Sequence, residues 1–182
     1  AAVREYFEDK AAAEHRHGKM GTWDVSRVTD MSRLFYYRDD FNPFATWKDE
    51  YLSWKQTQFN KREFNDPGIG AWDTSSVRRL DAMFMNCKAY EGIGIGAWDT
   101  SSVTSMLGVF ARCYRFDQDI SAWDTSSVTD MRSLFMGTVV PTSMMMSFNQ
   151  DLSRWDTSAV TQHSDIYFNT NPAWPASRRP RF

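Results

Sequence analysis

Five aspartates that recur in one short motif are the residues whose type and spacing first suggest chemistry. Each follows a tryptophan, and they are Asp24, Asp73, Asp99, Asp124 and Asp156. Carboxylates in a row repel one another unless local donors or a cation neutralise them. A calcium ion would need additional oxygen ligands that the motif does not obviously supply. We therefore predict that each aspartate accepts hydrogen bonds from nearby backbone N–H groups.

The other reactive side chains form no recognisable catalytic or metal-binding set. His15 and His17 are two residues apart on a predicted helix and do not share a face, which disfavours a zinc pair. The segment 92–97 has the letters of a dinucleotide-binding fingerprint, but it leads into another Trp-Asp motif instead of a long helix. The sequence therefore predicts no catalytic residues, no metal site and no cofactor.

Composition indicates one folded domain. The chain has 182 residues, of which 42% are hydrophobic and 15% aromatic, enough for a substantial core. Lys and Arg number 21 against 23 Asp and Glu, and this balance argues against a nucleic-acid-coating surface. The apolar stretches are too short for a transmembrane span, so we expect at most peripheral attachment to a membrane complex.

The five tryptophans reveal an internal repeat. Trp23, Trp72, Trp98, Trp123 and Trp155 are separated by 49, 26, 25 and 32 residues, which gives an underlying period of about 25. After the valine of each motif, apolar residues follow at i, i+3, i+6 and i+7, the stripe of a short amphipathic helix. Upstream of each tryptophan, the spacing suggests a short extended segment.

These elements predict an α/β solenoid of about five to six short strand-plus-helix coils. Residues 1–19 are predicted to form an N-terminal helical cap, residues 20–167 the solenoid, and residues 168–182 an extended basic arm. Two insertions interrupt the period, near 42–63 and 137–147. The first is either a degenerate sixth repeat or an excursion packed on the side, and we slightly favour the excursion.

The repeat resembles a known family. The motif Trp-Asp-(Val/Thr)-Ser-x-Val-Thr-Asp-Met, followed by Leu-Phe and by the run Phe148–Ser153, is similar to the BspA-like or DUF285 repeat, also called the mycoplasma lipoprotein-associated repeat. The resemblance implies a leucine-rich-repeat-like solenoid found on surface, adhesion and interaction proteins, and it supplies no catalytic residues. With the absence of an initiator methionine, it favours a secreted, cell-surface or organelle-lumen location.

Partner contacts are predicted where the sequence is irregular, because insertions in solenoids map to loops that often form binding faces. Aromatic residues at helical spacing mark the first insertion, a methionine run marks the second, and basic and aromatic residues mark the C-terminal arm, whose net positive charge suits an acidic groove on a partner. The predicted contact residues are Trp47, Tyr51, Trp54, Val139, Val140, Met144, Met145, Met146, Trp174, Arg178, Arg179, Arg181 and Phe182.

Two further features leave alternatives open. The tryptophan row is either stacked core filling, which we favour, or an exposed strip for sugar rings. Cys87 and Cys113 occupy matching places in neighbouring repeats, so they form either a disulfide or two buried free thiols.

The sequence as a whole predicts a non-catalytic repeat protein that acts as a protein–protein interaction or scaffold subunit. We expect it to dock on a large, membrane-associated assembly and to bind protein partners but no nucleic acid. The alternative is a cell-surface adhesin or glycan-binding protein that uses the tryptophan and aspartate rows.

Overall fold

The structure is a computed structural model that describes residues 2–37, 61–137 and 146–182. It begins with two short helices, α1 (Ala2–Glu8) and α2 (Lys10–His17). Asp9 separates them and caps α2, since its carboxylate accepts the N–H of Ala12 at 3.0 Å. Gly18 ends α2 with a positive φ of 74°, a backbone conformation that favours glycine.

The rest of the described chain winds through five stacked turns, which we number by their tryptophans: turn 1 from Trp23, turn 2 from Trp72, turn 3 from Trp98, turn 4 from Trp123 and turn 5 from Trp155. Equivalent residues of successive turns lie side by side in parallel. Single parallel bridges run from Asp30 to Arg79, Ser105, Asp130 and Gln162 in order. Short 3₁₀ helices precede the tryptophans of the first three turns, at Met20–Thr22, Pro67–Ala71 and Ile95–Ala97.

Alternate peptide groups hold the turns together. After the bridge, every second N–H of a turn donates to a carbonyl of the following turn. From turn 1 to turn 2, the bonds join Met31 to Arg79, Arg33 to Asp81, Phe35 to Met83 and Tyr37 to Met85, at 2.9–3.1 Å. The same register recurs between turns 2 and 3 and between turns 3 and 4. The peptide groups in these positions therefore all point along the stack in the same direction.

The predicted α/β solenoid is wrong. Within the described residues of the five turns the backbone is α-helical only at residues 61–62, and there is no strand longer than an isolated bridge residue. The leucine-rich-repeat-like architecture that the family resemblance implied is not supported for the same reason. The structure instead consists almost entirely of turns and single bridges.

A left-handed residue explains why the apolar stripe does not form a helix. Five residues after the motif valine, φ is positive in every turn: Arg33 (59°), Ala82 (53°), Gly108 (60°), Ser133 (55°) and Asp165 (57°). A right-handed helix cannot continue through such a residue. The i, i+3, i+6, i+7 spacing therefore comes from a winding backbone whose bonds run to the next turn, and not from helical hydrogen bonds.

Two columns of aromatic rings fill the core. One column stacks Phe35, Phe84, Phe110 and Phe135 with centroids 5.4–5.9 Å apart. Beside them lie Phe64, Tyr90, Phe116 and Phe148, each 3.8–4.5 Å from its partner in the first column. Each turn thus covers the apolar surface of its neighbours, which a single turn could not bury alone.

Glycines allow the corners before the tryptophans to touch backbone to backbone. A side chain added at Gly70 would bring its Cβ within 2.8 Å of the Gly94 Cα, and one at Gly21 would lie 2.6 Å from the Gly68 carbonyl oxygen. Gly94 itself has a φ of 88°. The glycine-rich segment that matched the letters of a dinucleotide fingerprint is therefore a close-packed corner.

Turns 1 and 2 bond directly to each other, although 49 residues separate their tryptophans. The two alternatives for the first insertion, a degenerate sixth repeat or an excursion packed on the side, fall mostly on residues 38–60, which lie outside the described part of the chain.

Candidate interaction surfaces

The tryptophan row belongs to the core. Trp72, Trp98, Trp123 and Trp155 are all 3–6% exposed, and their rings stack at 6.3–6.5 Å where adjacent pairs are in contact. Each indole N–H donates to a carbonyl of the preceding turn: Trp72 to Met20, Trp98 to Ile69, Trp123 to Ile95 and Trp155 to Ile120. These rings are not available as a strip for sugars.

The aspartate row caps local turns. In all five motifs the carboxylate accepts the N–H of the residue two positions later, a serine, at 2.9–3.1 Å. Hydrogen bonds from the serine hydroxyl and N–H lower the pKa of Asp24, Asp99, Asp124 and Asp156 below the ordinary value. The charges of Asp156 and Asp99 act in the opposite direction on Asp124. The described residues contain no group of three or more potential metal ligands.

A threonine row bonds each turn to the next. The hydroxyls of Thr74, Thr100 and Thr125 are buried and donate to the backbone carbonyls of Asp99, Asp124 and Asp156, at 2.8–3.0 Å. Thr157 donates in the same way to the carbonyl of Arg181. Beside Thr157, the C-terminal segment therefore supplies the acceptor that a sixth turn would supply.

The cysteines are buried free thiols. Cys87 donates to the Phe35 carbonyl at 3.1 Å and Cys113 to the Phe84 carbonyl at 2.9 Å. Burial raises the pKa of both thiols, so little thiolate forms near neutral pH. Of the two alternatives left open by the sequence, the structure has the thiol pair.

Ion pairs line the flank that carries the parallel bridges. Arg132 bonds to Asp130 at 2.7 Å, and Arg79 bonds to Asp81 of the same turn. Burial alone would raise the pKa of Asp130, but the hydrogen bonds from Arg132 outweigh it and lower the pKa overall. Both carboxylates are largely buried and both guanidinium groups are partly exposed. The flank thus presents guanidinium groups that are each held by a largely buried carboxylate.

A cleft of about 540 Å³ lies between helix α1 and the chain that leads into turn 2. Tyr6 donates to Asp66 at 2.7 Å on its wall, and Lys10 lies 5.1 Å from the Tyr6 ring. Nearby, burial lowers the pKa of Lys61, whose ammonium lies 5.6 Å from the Phe7 ring. These contacts fasten the N-terminal helices to the stack.

The predicted partner contacts fall into three groups. Trp47, Tyr51, Trp54, Val139, Val140, Met144 and Met145 lie outside the described residues. Met146 and Trp174 are buried in the chain's own core, at 2% and 1% exposure, so neither offers surface to a partner. Arg178, Arg181 and Phe182 are exposed, whereas Arg179 is partly buried against the rings of Tyr167 and Trp174.

The C-terminal segment closes the end of the core. The Trp174 ring meets Phe135 and Phe148 edge-on at 5.4 and 4.9 Å, and its indole N–H donates to Gln150 at 2.7 Å. The backbone follows turn 5 through a bond from the Leu152 N–H to the Arg178 carbonyl. Phe182 then stacks on His163 at 4.5 Å. The predicted extended arm is therefore docked on its own chain.

Comparison with known families identifies the repeat. A family model described as "Mycoplasma protein of unknown function, DUF285" matches residues 2–90 and 50–173. The chain belongs to the DUF285 family. This confirms the resemblance seen in the Trp-Asp motifs, and the family description leaves the function open.

No curated protein and no solved structure matches this DUF285 member. Among residues 2–37, 61–137 and 146–182, no helix is long and apolar enough to cross a membrane.

Sequence reasoning missed one candidate surface of this DUF285 chain, the backbone edge of turn 5. It consists of residues 161–169, and residues 161–165 are all exposed. No side-chain pattern could have revealed it, because its donors are main-chain N–H groups whose direction depends on the winding of the turns.

Proposed function

We propose that this DUF285 chain is a non-catalytic protein-binding subunit, a rigid scaffold that docks on a large assembly at a membrane. The observation that supports the proposal is that the repeated polar side chains already form hydrogen bonds within the stack. The tryptophan N–H groups and the threonine hydroxyls bond to adjacent turns, and the aspartates cap local turns. Stacked repeats of this kind create extended, evenly spaced binding surfaces.

The flank with the parallel bridges supports the proposal. Its exposed side chains include Arg78, Thr104 and Thr129, and the guanidinium groups of Arg79 and Arg132 lie beside them. The Thr104 and Thr129 hydroxyls donate to carbonyls of the preceding turn at 3.2 and 3.1 Å, which holds these side chains in place. A preorganised polar surface loses little side-chain entropy when a partner binds.

The adhesin or glycan-binding alternative has less support. Its aromatic strip would have required exposed tryptophan rings, and four of the five are almost fully buried. The exposed aspartate row remains available to sugar hydroxyls, but each carboxylate is already bonded to its serine. Tryptophan fluorescence that shifts on addition of monosaccharides or oligosaccharides would favour this alternative.

Cross-linking mass spectrometry on the native source material tests the scaffold proposal. We expect cross-links from exposed lysines of this chain to other proteins, and co-migration with an assembly much larger than 21.2 kDa. Only intramolecular cross-links together with migration as a monomer would contradict it.

A variant of the first insertion tests whether that insertion forms the contact. We expect the combined change Trp47→Ala, Tyr51→Ala and Trp54→Ala to weaken co-purification with the assembly. Ile93→Ala is the matched control, because Ile93 is an exposed apolar residue, at 49%, in the glycine-rich corner. If the wild type, the triple variant and Ile93→Ala co-purify equally well with the assembly, the contact lies outside the insertion.

A further inference from the structure

The last turn ends in a row of backbone donors. In turns 1, 2 and 3, the four N–H groups that follow the bridge each donate to the next turn. Their equivalents in turn 5 are the N–H groups of His163, Asp165, Tyr167 and Asn169. None of the four has a hydrogen-bond acceptor among the described residues. The repeated register directs these donors away from turn 4, toward the end of the stack.

This edge has an unusual polarity. The edge of an ordinary β-strand presents N–H and C=O groups together and can pair with any strand. Over residues 163–169, the turn-5 edge presents mainly donors, because three of the four carbonyls in the same peptide groups bond to turn 4. The Met131, Ser133 and Gly137 N–H groups bind the carbonyls of Gln162, Ser164 and Phe168. An ordinary strand is therefore a poor match, and the edge requires a partner rich in acceptors.

The C-terminal segment brings positive charge to this end of the chain. The C-terminal segment lies against the edge, since Tyr167 donates to the Pro180 carbonyl at 2.8 Å and Phe182 stacks on His163. Residues 161–182 contain three arginines against a single acid, Asp165. Arg178 donates to the Asn149 carbonyl and Arg179 to the Trp174 carbonyl, whereas Arg181 is exposed and lies between the two residues that contact the edge. Donors and arginines together favour a carboxylate-bearing partner.

A second copy of this chain fits less well. The matching acceptors are the turn-1 carbonyls that precede Met31, Arg33, Phe35 and Tyr37. Helix α1 packs Phe7 against Phe35 of that turn at 6.1 Å, beside Phe64. A second copy would have to displace a helix that buries Tyr6 and Phe7. We therefore commit to a partner other than the chain itself.

We propose that the turn-5 edge, residues 161–169, together with Arg181, binds an acidic segment of a partner protein. This inference rests on the proposed scaffold function and names the surface and the chemistry of the partner. Carboxylates and carbonyls of the segment accept from the four N–H groups, while the exposed Arg181 guanidinium attracts its negative charge.

A fluorescein-labelled octaglutamate peptide and the full chain provide the test, with an octaglutamine peptide as the uncharged probe. We expect octaglutamate to bind, the amide protons of His163, Asp165, Tyr167 and Asn169 to shift downfield, and their hydrogen exchange to slow. Binding weakens with added salt, as expected of exposed charges. Equal binding of both peptides, no binding, or amide shifts confined to other turns would overturn the proposal.

Charge variants sharpen the test. The change Arg181→Glu should weaken octaglutamate binding about two- to fivefold, because an exposed pair is individually weak. Arg115→Glu is the control, since Arg115 is exposed and outside residues 161–182. Asp165→Asn removes the single acid and should strengthen binding. Equal affinities of the wild type, the Arg181→Glu variant and the control for octaglutamate would contradict the proposed surface.

The outcomes separate this inference from the proposed function. If the native chain cross-links to partners but octaglutamate leaves the turn-5 amides unchanged, the scaffold proposal stands and this surface is wrong. If octaglutamate binds at the edge but the native chain has no partner, the surface stands and the scaffold proposal fails. Sedimentation and cross-linking experiments could also detect concentration-dependent dimers joined through residues 161–169. In that case the edge binds a second copy of the chain and not an acidic partner.

Discussion

The two ends of the stack are closed in different ways. At the first end, helices α1 and α2 lie across turn 1 and bury Tyr6 and Phe7 in the core. At the last end, Trp174 covers the aromatic columns, but residues 161–165 remain exposed. In turn 4, Thr129 is the only exposed residue among the equivalents 129–133. In a stacked chain, a segment that covers the apolar core at one end does not therefore also provide acceptors for the backbone N–H groups of the last turn.

The largest expected effect comes from removing the core covers. Phe7→Ala and Trp174→Ala should each lower the free energy of unfolding by about 3–5 kcal/mol, as large-to-small changes at buried aromatic sites do. Urea denaturation measures the change through the midpoint at constant slope. Phe110→Ala is the interior control, because Phe110 is fully buried between two turns. If either variant loses less than about 1 kcal/mol of unfolding free energy, the aromatic ring it removes does not cover the core.

The sequence predicted which residues form each repeat, but not the backbone conformation of the repeat. The period, the motif tryptophans and the apolar offsets identified which residues are equivalent, and equivalent residues do lie side by side. The conformation was misread because apolar spacing was taken for helical periodicity. The deciding feature is the left-handed residue, and its identity varies between Arg33, Ala82, Gly108, Ser133 and Asp165, so no residue type marks it.

The candidate surface was predictable only in part. The positive charge of Arg178 and Arg181 and the exposure of Phe182 are features of side chains, and the sequence singled them out. Trp174 was misjudged because a tryptophan between two prolines resembles a free arm, whereas its ring closes the core. The donor row of turn 5 depends on the direction of peptide groups, which residue types do not encode.

Close backbone packing makes the interior corners less tolerant than the open edge. Gly70→Ala places a Cβ about 2.8 Å from the Gly94 Cα, where only backbone movement can relieve the contact. We expect a loss of about 1–3 kcal/mol, typical of overpacking, measured by urea denaturation. Ala71→Ser at the neighbouring exposed position is the control and should be nearly neutral. Equal stability of both variants would indicate that the corner is looser than the structure has it.

Acid should weaken the turns along the whole stack. The pKa values of Asp99 and Asp124 are lowered by hydrogen bonds from Ser101 and Ser126. A carboxylate with a lowered pKa contributes stability that is complete above its unfolded pKa, about 3.9, and is lost as the pH falls through the folded value. Thermal melting from pH 7 to pH 3 should therefore show a fall in Tm below about pH 4.

The combined change Asp99→Asn and Asp124→Asn provides the comparison for that pH profile. The amides cannot titrate, so the fall in Tm at low pH should be shallower than in the wild type, while Tm at pH 7 is slightly lower. Asp165→Asn at the open edge serves as the control, because Asp165 is exposed and belongs to none of the Trp-Asp motifs. If the wild type, the double variant and Asp165→Asn have identical profiles of Tm against pH, the aspartate caps are not the cause of the fall in Tm at low pH.

The smallest expected effect lies at the open edge itself. Phe182 is 48% exposed, and its ring stacks on His163 and lies 6.5 Å from Tyr167. Phe182→Ala should cost less than about 1 kcal/mol, because a half-exposed aromatic pair contributes little. The His163 ring protons should nevertheless shift as the stacked ring is removed, and the His163 amide should exchange faster. A loss comparable to that of Trp174→Ala would mean that Phe182 closes the core and that the edge is not open.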